Sequence, residues 1–303
     1  MIDTLILSGG GPSGISYIGI FRALLEQNKI IKTDLNEIIT TSVGMVFSIL
    51  YLLDFTVDQM EQIILEVDLQ NMLNSSDIEI DLLLLSYGLF SNKLIGESVF
   101  SFCKHKVGQE LITLKELYDL IPIKLTVKVY NVDKGRIEYM SYENEPNIPL
   151  SQLAMMTTAI PFLFTPITYN ECLYTDGGLK GHFPIEECHS ENYLGILIEG
   201  GTCGHESFPI IKTIPILGYI MNLMNDKDNN ITNYDKNKII ILNINIGLNF
   251  SLDKDKKNEV IKQGYDTCME FLNDELKDEL NDELNDELND ELNDELNDEL
   301  KNS

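Results

Sequence analysis

Ser42 and Asp176 are the two side chains in this 303-residue sequence whose type and setting suit acyl transfer. Ser42 follows a β-prone run, Ile38-Ile39-Thr40-Thr41, and precedes Val43-Gly44 and an apolar helical run from Met45 to Leu53. An extended segment that stops at a small polar residue and restarts as a helix must turn sharply, and the turn pushes its apex residue clear of the backbone. This is the logic of the nucleophile elbow, G-x-S-x-G, in which small flanking residues let strand and helix pass closely. Gly44 supplies the second glycine, whereas Thr40 stands at the first. Ser-x-Gly after a strand is also an ordinary turn or helix N-cap, so the assignment depends on the rest of the chain. Asp176 closes a strand-like run, Leu173-Tyr174-Thr175, and is followed by Gly177-Gly178. Asp-Gly-Gly is often only a turn. Yet a serine followed later by an acid at a strand's carboxyl end is the chain order of a hydrolase with an early nucleophile.

A third feature, Gly9-Gly10-Gly11-Pro12-Ser13-Gly14, follows a short apolar strand over residues 3–8 and leads into a helix carrying Ile15, Ile18, Phe21, Leu24 and Leu25. Consecutive glycines let backbone N–H groups converge, and the following helix adds its positive end, so the loop suits negative charge. Gly9-x-Gly11-x-x-Gly14 satisfies a dinucleotide fingerprint by letter. That fingerprint also wants an acid at the end of the second strand, and this second strand ends in Thr41-Ser42, with Glu37 at its start. The stronger reading is an oxyanion hole. If two neighbouring parallel strands both end at the carboxyl edge of a sheet, the glycine loop and Ser42 lie side by side, with the Gly10 and Gly11 amides free to face a carbonyl under attack. A Ser-His-Asp triad is the rival mechanism, since His182, His189 and His205 all follow Asp176. It is weakened by the missing elbow glycine and by how soon these histidines follow the acid.

The elements that must position these groups are legible in outline. Thr56 with Gln59 three residues on opens a helix over 56–70 as a capping box. Residues 81–107 are leucine-rich and aromatic around Gly88 and read as helices covering the sheet; Lys104, His105 and Lys106 read as a solvated helix end. Residues 125–130 alternate as a strand, Asp133-Lys134-Gly135 is the turn, and 136–141 the hairpin return. Residues 150–168 give a short helix and then a stretch in which Pro161 and Pro166 bracket Phe162 and Phe164, either one wall of an apolar substrate pocket or plain core. Residues 208–224 read as a core helix preceded by a loop, with an interfacial lid as the alternative. A last strand is expected near 239–246.

The net charge is −27, but residues 273–303 hold 14 of the 49 acids and 2 of the 22 bases, leaving 35 acids, 20 bases and a charge of −15 for the body. An acidic body argues against nucleic acid as a partner. The five cysteines, at 103, 172, 188, 203 and 268, form no close pairs and indicate neither a disulfide framework nor a zinc site. The first residues lack a charged signal-peptide start, and no stretch offers about 18 uninterrupted apolar residues, so the expected setting is cytoplasmic, peripheral to membranes at most. From Asn273 to Leu300 the chain repeats Asn/Lys-Asp-Glu-Leu seven times. Leucines at every fourth position drift about 40° per repeat and like charges recur at i, i+4. A disordered or transiently helical tail at 273–303 behind a domain at 1–272 is therefore expected, its partner unknown. Lys277-Asp278-Glu279-Leu280 does not end the chain and so is no retrieval signal.

Together, the glycine run 9–14, Ser42-Val43-Gly44, Ala159-Ile160-Pro161 and Asp176-Gly177-Gly178 resemble the patatin-like phospholipase family in order and spacing, over roughly residues 3–185. The resemblance implies a three-layer α/β/α fold with a mostly parallel central sheet, and hydrolysis of acyl esters of lipids or phospholipids by a Ser-Asp dyad. Ser42 would be the nucleophile and Asp176 its base. Gly9, Gly10, Gly11 and Gly14 would form the oxyanion loop, with Thr41, Val43, Gly44, Gly177 and Gly178 supporting the elbow and the acid. An aspartate can take the serine proton directly, so neither histidine, metal nor cofactor is implied. The sequence departs from the pattern at Thr40, at Ser13 in place of a basic residue, and at His182 where an asparagine often stands. These departures leave a weakly active or inactive lipid-binding module of the same fold as the alternative.

Overall fold

The computed structural model describes residues 1–73, 87–109, 111–199 and 233–301, with side chains to 277 in the last stretch. Strand β1 (Thr4–Leu7) leads through the 3-10 turn Gly11–Ser16 into α1 (Tyr17–Glu26), and β2 (Glu37–Thr41) into α2 (Val43–Leu52) and α3 (Val57–Glu66). Then come β3 (Gly88–Phe90), α4 (Lys93–Val107), α5 (Leu114–Leu120) and the hairpin β4 (Lys124–Asn131) with β5 (Arg136–Met140). They are followed by α6 (Leu150–Thr157), β6 (Phe162–Phe164), β7 (Ile167–Tyr169), β8 (Cys172–Asp176), β9 (Tyr193–Glu199), β10 (Ile239–Asn243) and α7 (Lys254–Lys301).

The result is an α/β fold built on a mostly parallel sheet. Strands β10, β9, β1, β2 and β4 run parallel in that order, and β5, β7 and β8 add antiparallel pairings beyond them. Both faces are covered, so β1 is buried at every position and β9 at all but its end residues, rather than at alternate ones. On one face Leu5, Leu7, Ile38 and Ile196 join Ile18, Phe21, Ile49 and Leu50 of α1 and α2 in the main core. On the other, Ile6, Ile39, Leu197 and Ile239 pack beneath Phe183 and Ile185. Tyr17, Phe21, Phe47 and Tyr51 form a ladder of ring contacts that locks α1 to α2. The capping box at Thr56 is present: Gln59 donates its amide to Thr56 Oγ1 at 3.2 Å, and Thr56 donates its own to Gln59 Oε1 at 3.1 Å.

One region differs from the sequence reading. Residues 88–90 form a strand, not part of a helical cover, and β3 pairs in parallel with β6, Gly88 opposite Phe162 and Phe90 opposite Phe164. Gly88 permits this approach, because a Cβ there would lie 2.3 Å from the Thr165 nitrogen. At the other end, α7 begins as part of the domain. A Cβ on Gly264 would lie 2.2 Å from the Ser16 carbonyl oxygen, and one on Gly19 would lie 1.9 Å from that of Ile261, so α7 crosses α1 backbone against backbone. Buried Lys257 donates to the carbonyls of Ile64 and Val67, satisfying the carboxyl end of α3. Lys29 pairs with Glu275 at 2.6 Å, and the helix continues without a break from 272 into the repeat. Among the described residues no helix is long and apolar enough to cross a membrane. The 208–224 segment and His205 lie outside the described residues.

Candidate active site

The pairing of β4 explains why Ser42 and Asp176 meet. Residues 127–131 of β4 are taken along one edge by β5, so β2 and β8 must share the opposite edge. Strand β2 runs up that edge until Thr41 stands opposite Lys128. Strand β8 comes down it antiparallel and stops with Asp176 opposite Val129. The carboxyl ends of the two strands thus arrive head-on at neighbouring positions of one partner strand.

Ser42 sits in that gap at φ 53°, ψ −132°, a left-handed conformation that costs a non-glycine residue about 1–3 kcal/mol. Its amide donates to Thr157 Oγ1 at 2.8 Å, and the Thr157 hydroxyl donates to the Lys128 carbonyl at 2.8 Å, so a side chain from α6 holds the strained turn. Ser42 Oγ donates to Asp176 Oδ2 at 2.6 Å, with both residues nearly buried at 6 % and 5 % exposure. The other carboxylate oxygen accepts the Gly178 amide at 2.7 Å. Burial pushes the Asp176 carboxyl up from 3.8 to about 6, against the Ser42 and Gly178 hydrogen bonds and the nearby Lys128 charge, which favour the ionised form. A carboxylate tuned toward neutrality is a stronger base than a solvated aspartate and is still ionised at pH 7.

The glycine loop lies against this pair, because β1 and β2 are parallel neighbours with Leu7 opposite Thr40. A Cβ on Gly9 would lie 3.1 Å from Ser42 Cβ. Its four glycines play different parts. The Gly9 amide donates to the His182 carbonyl at 2.8 Å and so is taken. Gly14 accommodates Val43, whose Cγ1 would lie 2.6 Å from a Cβ. The Gly10 and Gly11 amides lack an acceptor among the described residues, and Gly11 has φ 53°. On the elbow side, a Cβ on Gly44 would meet Thr40 Oγ1 at 2.5 Å and the Ser8 carbonyl at 2.8 Å. Thr40 is housed because Gly44 leaves room, though its hydroxyl and that of Ser13 are buried without a hydrogen-bond partner. Thr41 adds a bond from Oγ1 to the Lys128 carbonyl at 3.3 Å.

The histidines do not complete a triad among the described residues. The ring of His182 pairs through Nε2 with the Ile198 carbonyl at 3.1 Å, and burial holds it below its ordinary pKa. The proline-bracketed stretch divides: Phe164 is core, edge-on to Phe250, while Pro161 and Phe162 are half-buried, Phe162 at φ 65°. Sequence reasoning missed Thr157 and Lys128, the latter read only as one position of an alternating strand. A lysine between Val127 and Val129, on a strand that the topology places inside the sheet, was the available signal. No group of three or more His, Cys, Asp or Glu among the described residues could hold a metal ion.

A family model described as patatin-like phospholipase matches residues 5–189, a span that contains the glycine loop, Ser42 and Asp176. The chain belongs to the patatin-like phospholipase family. The chain is 28% identical over 184 residues to a probable lipid hydrolase, 463L, of Invertebrate iridescent virus 6, covering 60% of this chain and 62% of that protein. It is 23% identical over 184 residues to the uncharacterized protein R571 of Acanthamoeba polyphaga mimivirus, covering 61% and 60%. These matches span about three-fifths of each relative's length. Among solved structures, VipD from Legionella pneumophila aligns with a TM-score of 0.61 at 20% identity, over 90% of this chain and 67% of that one. ExoU in its complex with SpcU from Pseudomonas aeruginosa gives 0.56 at 13%, over 91% and 52%. At those identities the likeness is one of fold.

Proposed function

We propose that the protein hydrolyses acyl esters of lipids or phospholipids through a Ser42-Asp176 dyad. Asp176 Oδ2 takes the Ser42 hydroxyl proton as Oγ forms a bond to the ester carbonyl carbon, the carbonyl π pair moves onto the oxygen, and the resulting oxyanion accepts hydrogen bonds from the Gly10 and Gly11 amides. Collapse of the tetrahedral adduct breaks the bond to the alcohol, which leaves with the proton held by Asp176. A water then repeats the sequence on the acyl-serine, giving up its proton to Asp176, and the fatty acid leaves as Ser42 recovers its hydrogen. The observation that carries this reading is the 2.6 Å bond from Ser42 Oγ to Asp176 Oδ2 at a positive-φ elbow. Free donors of the glycine loop support it, and the naming of the iridescent-virus relative as a probable lipid hydrolase supports the substrate class.

The test compares purified parent, Ser42→Ala and Asp176→Ala on a short-chain acyl ester, with fluorophosphonate labelling as a second readout. Both variants are expected to lose turnover by ~10³-fold or more, since members of such a unit fail together. The label should fall on Ser42 of the parent. Equal turnover by all three proteins would end the assignment.

A further inference from the structure

One buried charge takes no part in the proposed chemistry. Lys128 lies in the middle of β4 at 1 % exposure, on the strand that both site strands pair with. Its ammonium group uses its hydrogen-bonding capacity on a single segment, donating to the carbonyls of Lys180 at 3.0 Å and Gly181 at 2.8 Å and to Glu186 Oε1 at 2.5 Å. That segment follows Asp176. Its first residue, Gly177, packs on the lysine itself, since a Cβ there would lie 2.5 Å from the Lys128 carbonyl oxygen and 2.8 Å from its Cγ. The Lys128 carbonyl meanwhile accepts from Thr157 and Thr41, and Thr157 holds the Ser42 amide. One residue therefore touches the nucleophile's turn with its main chain and the acid's loop with its side chain.

Burying an ammonium group is costly, and a methionine of similar length would fill the space without desolvation. A lysine at this position calls for a reason beyond stability. Resting on the dyad reading above, we infer that Lys128 is a positioning residue that fixes the loop after Asp176 so that the carboxylate stays aimed at Ser42. Its charge acts in the same direction, because a cation near Asp176 favours the ionised base. The groups that face Asp176 are the Ser42 hydroxyl from the start of α2, the Gly178 amide from its own loop and Lys128 from β4. Glu186 and the Tyr139 hydroxyl, which donates to it, stand at the far end of the tether. His182, in the same loop, is held toward its neutral form by burial.

The test uses the full chain with Lys128→Met and Glu186→Ala, the second being a half-exposed position whose loss leaves the core intact. Three readouts are combined: hydrogen–deuterium exchange over residues 177–187, kcat and KM on a soluble ester, and the pH profile of kcat/KM. Lys128→Met is expected to raise exchange at Gly178 and its neighbours, to lower kcat by ~10²-fold with KM within about threefold, and to move the acid limb to higher pH. Glu186→Ala should raise exchange in the same residues and lower kcat severalfold. A folded Lys128→Met chain with parental exchange, kcat and acid limb would overturn the inference. If that variant does not fold, unchanged exchange and kcat in Glu186→Ala would do so. Should the parent show no Ser42-dependent turnover, the dyad reading fails separately, and parental exchange in the folded variants still refutes the tether.

Discussion

The burial that would equip Asp176 as the proposed base also works against folding, and Asp176→Asn separates the two effects. In the folded chain the carboxyl is raised from 3.8 to about 6 by burial. Because the folded pKa lies above the unfolded one, the folded state holds the proton more tightly. The stabilisation this gives is complete below about pH 3.8, is lost as pH rises through 6, and is absent above. About two pKa units at ~1.4 kcal/mol each make that loss roughly 3 kcal/mol at pH 8. Asparagine is neutral throughout and fits the same contacts. Its carbonyl can accept the Gly178 amide as Oδ1 does now, and its NH₂ can face Ser42 Oγ, whose hydroxyl turns from donor to acceptor. The variant should therefore be inactive yet more stable than the parent by ~3 kcal/mol at pH 8, with the gap closing toward pH 4. Urea unfolding of both proteins across pH 4–9 reads the difference directly. The same titration places the acid limb of the parent's kcat/KM near pH 6. A variant less stable than the parent at pH 8, or a stability gap indifferent to pH, would refute the claim that the base is tuned by desolvation.

Two further substitutions probe the support of the glycine loop. Gly264→Ala adds a methyl 2.2 Å from the Ser16 carbonyl. The ~1 kcal/mol gained in helix propensity is outweighed by ~1–3 kcal/mol of overpacking, so the urea midpoint should fall, and fluorophosphonate labelling of Ser42 should slow because Ser16 belongs to the loop's own 3-10 turn. Ser13→Ala removes a buried hydroxyl that has no partner; thermal or urea unfolding should show it more stable by about 1 kcal/mol, with turnover within about twofold of the parent.

What the sequence made legible was local. The elbow at Ser42, the glycine turn after Asp176, the Thr56 capping box and the β4–β5 hairpin each depend on residues within a few positions of one another, so their chemistry can be read along the chain. The strand at residues 88–90 was missed because three apolar residues carry no period that separates strand from helix, and its partner β6 lies 74 positions away by register (Gly88 to Phe162). The expectation for the repeat, a disordered or transiently helical tail at 273–303, rested on its leucine spacing and like charges. In the structure it extends a helix whose earlier turns are docked on α1, and with nucleation already complete each further residue adds a hydrogen bond for one residue fixed.

The site itself depends on register, which no local pattern carries. Ser42 meets Asp176 because Thr41 is opposite Lys128 and Asp176 is opposite Val129 along one edge of β4. A slip of one residue in either strand would move its end by about 3.3 Å and turn its side chains to the other face, which would break the 2.6 Å contact and aim the carboxylate away from the serine. That register is also what decides which loop amides are available. His182 follows Asp176 closely enough for its carbonyl to take the Gly9 amide, while the Gly10 and Gly11 amides keep no acceptor among the described residues. A buried lysine on β4, with its carbonyl toward the serine turn and its ammonium toward the acid loop, stands where a slip of either strand would have to disrupt it. Its cost in desolvation is intelligible as the cost of holding two strand ends, from distant parts of the chain, at one separation.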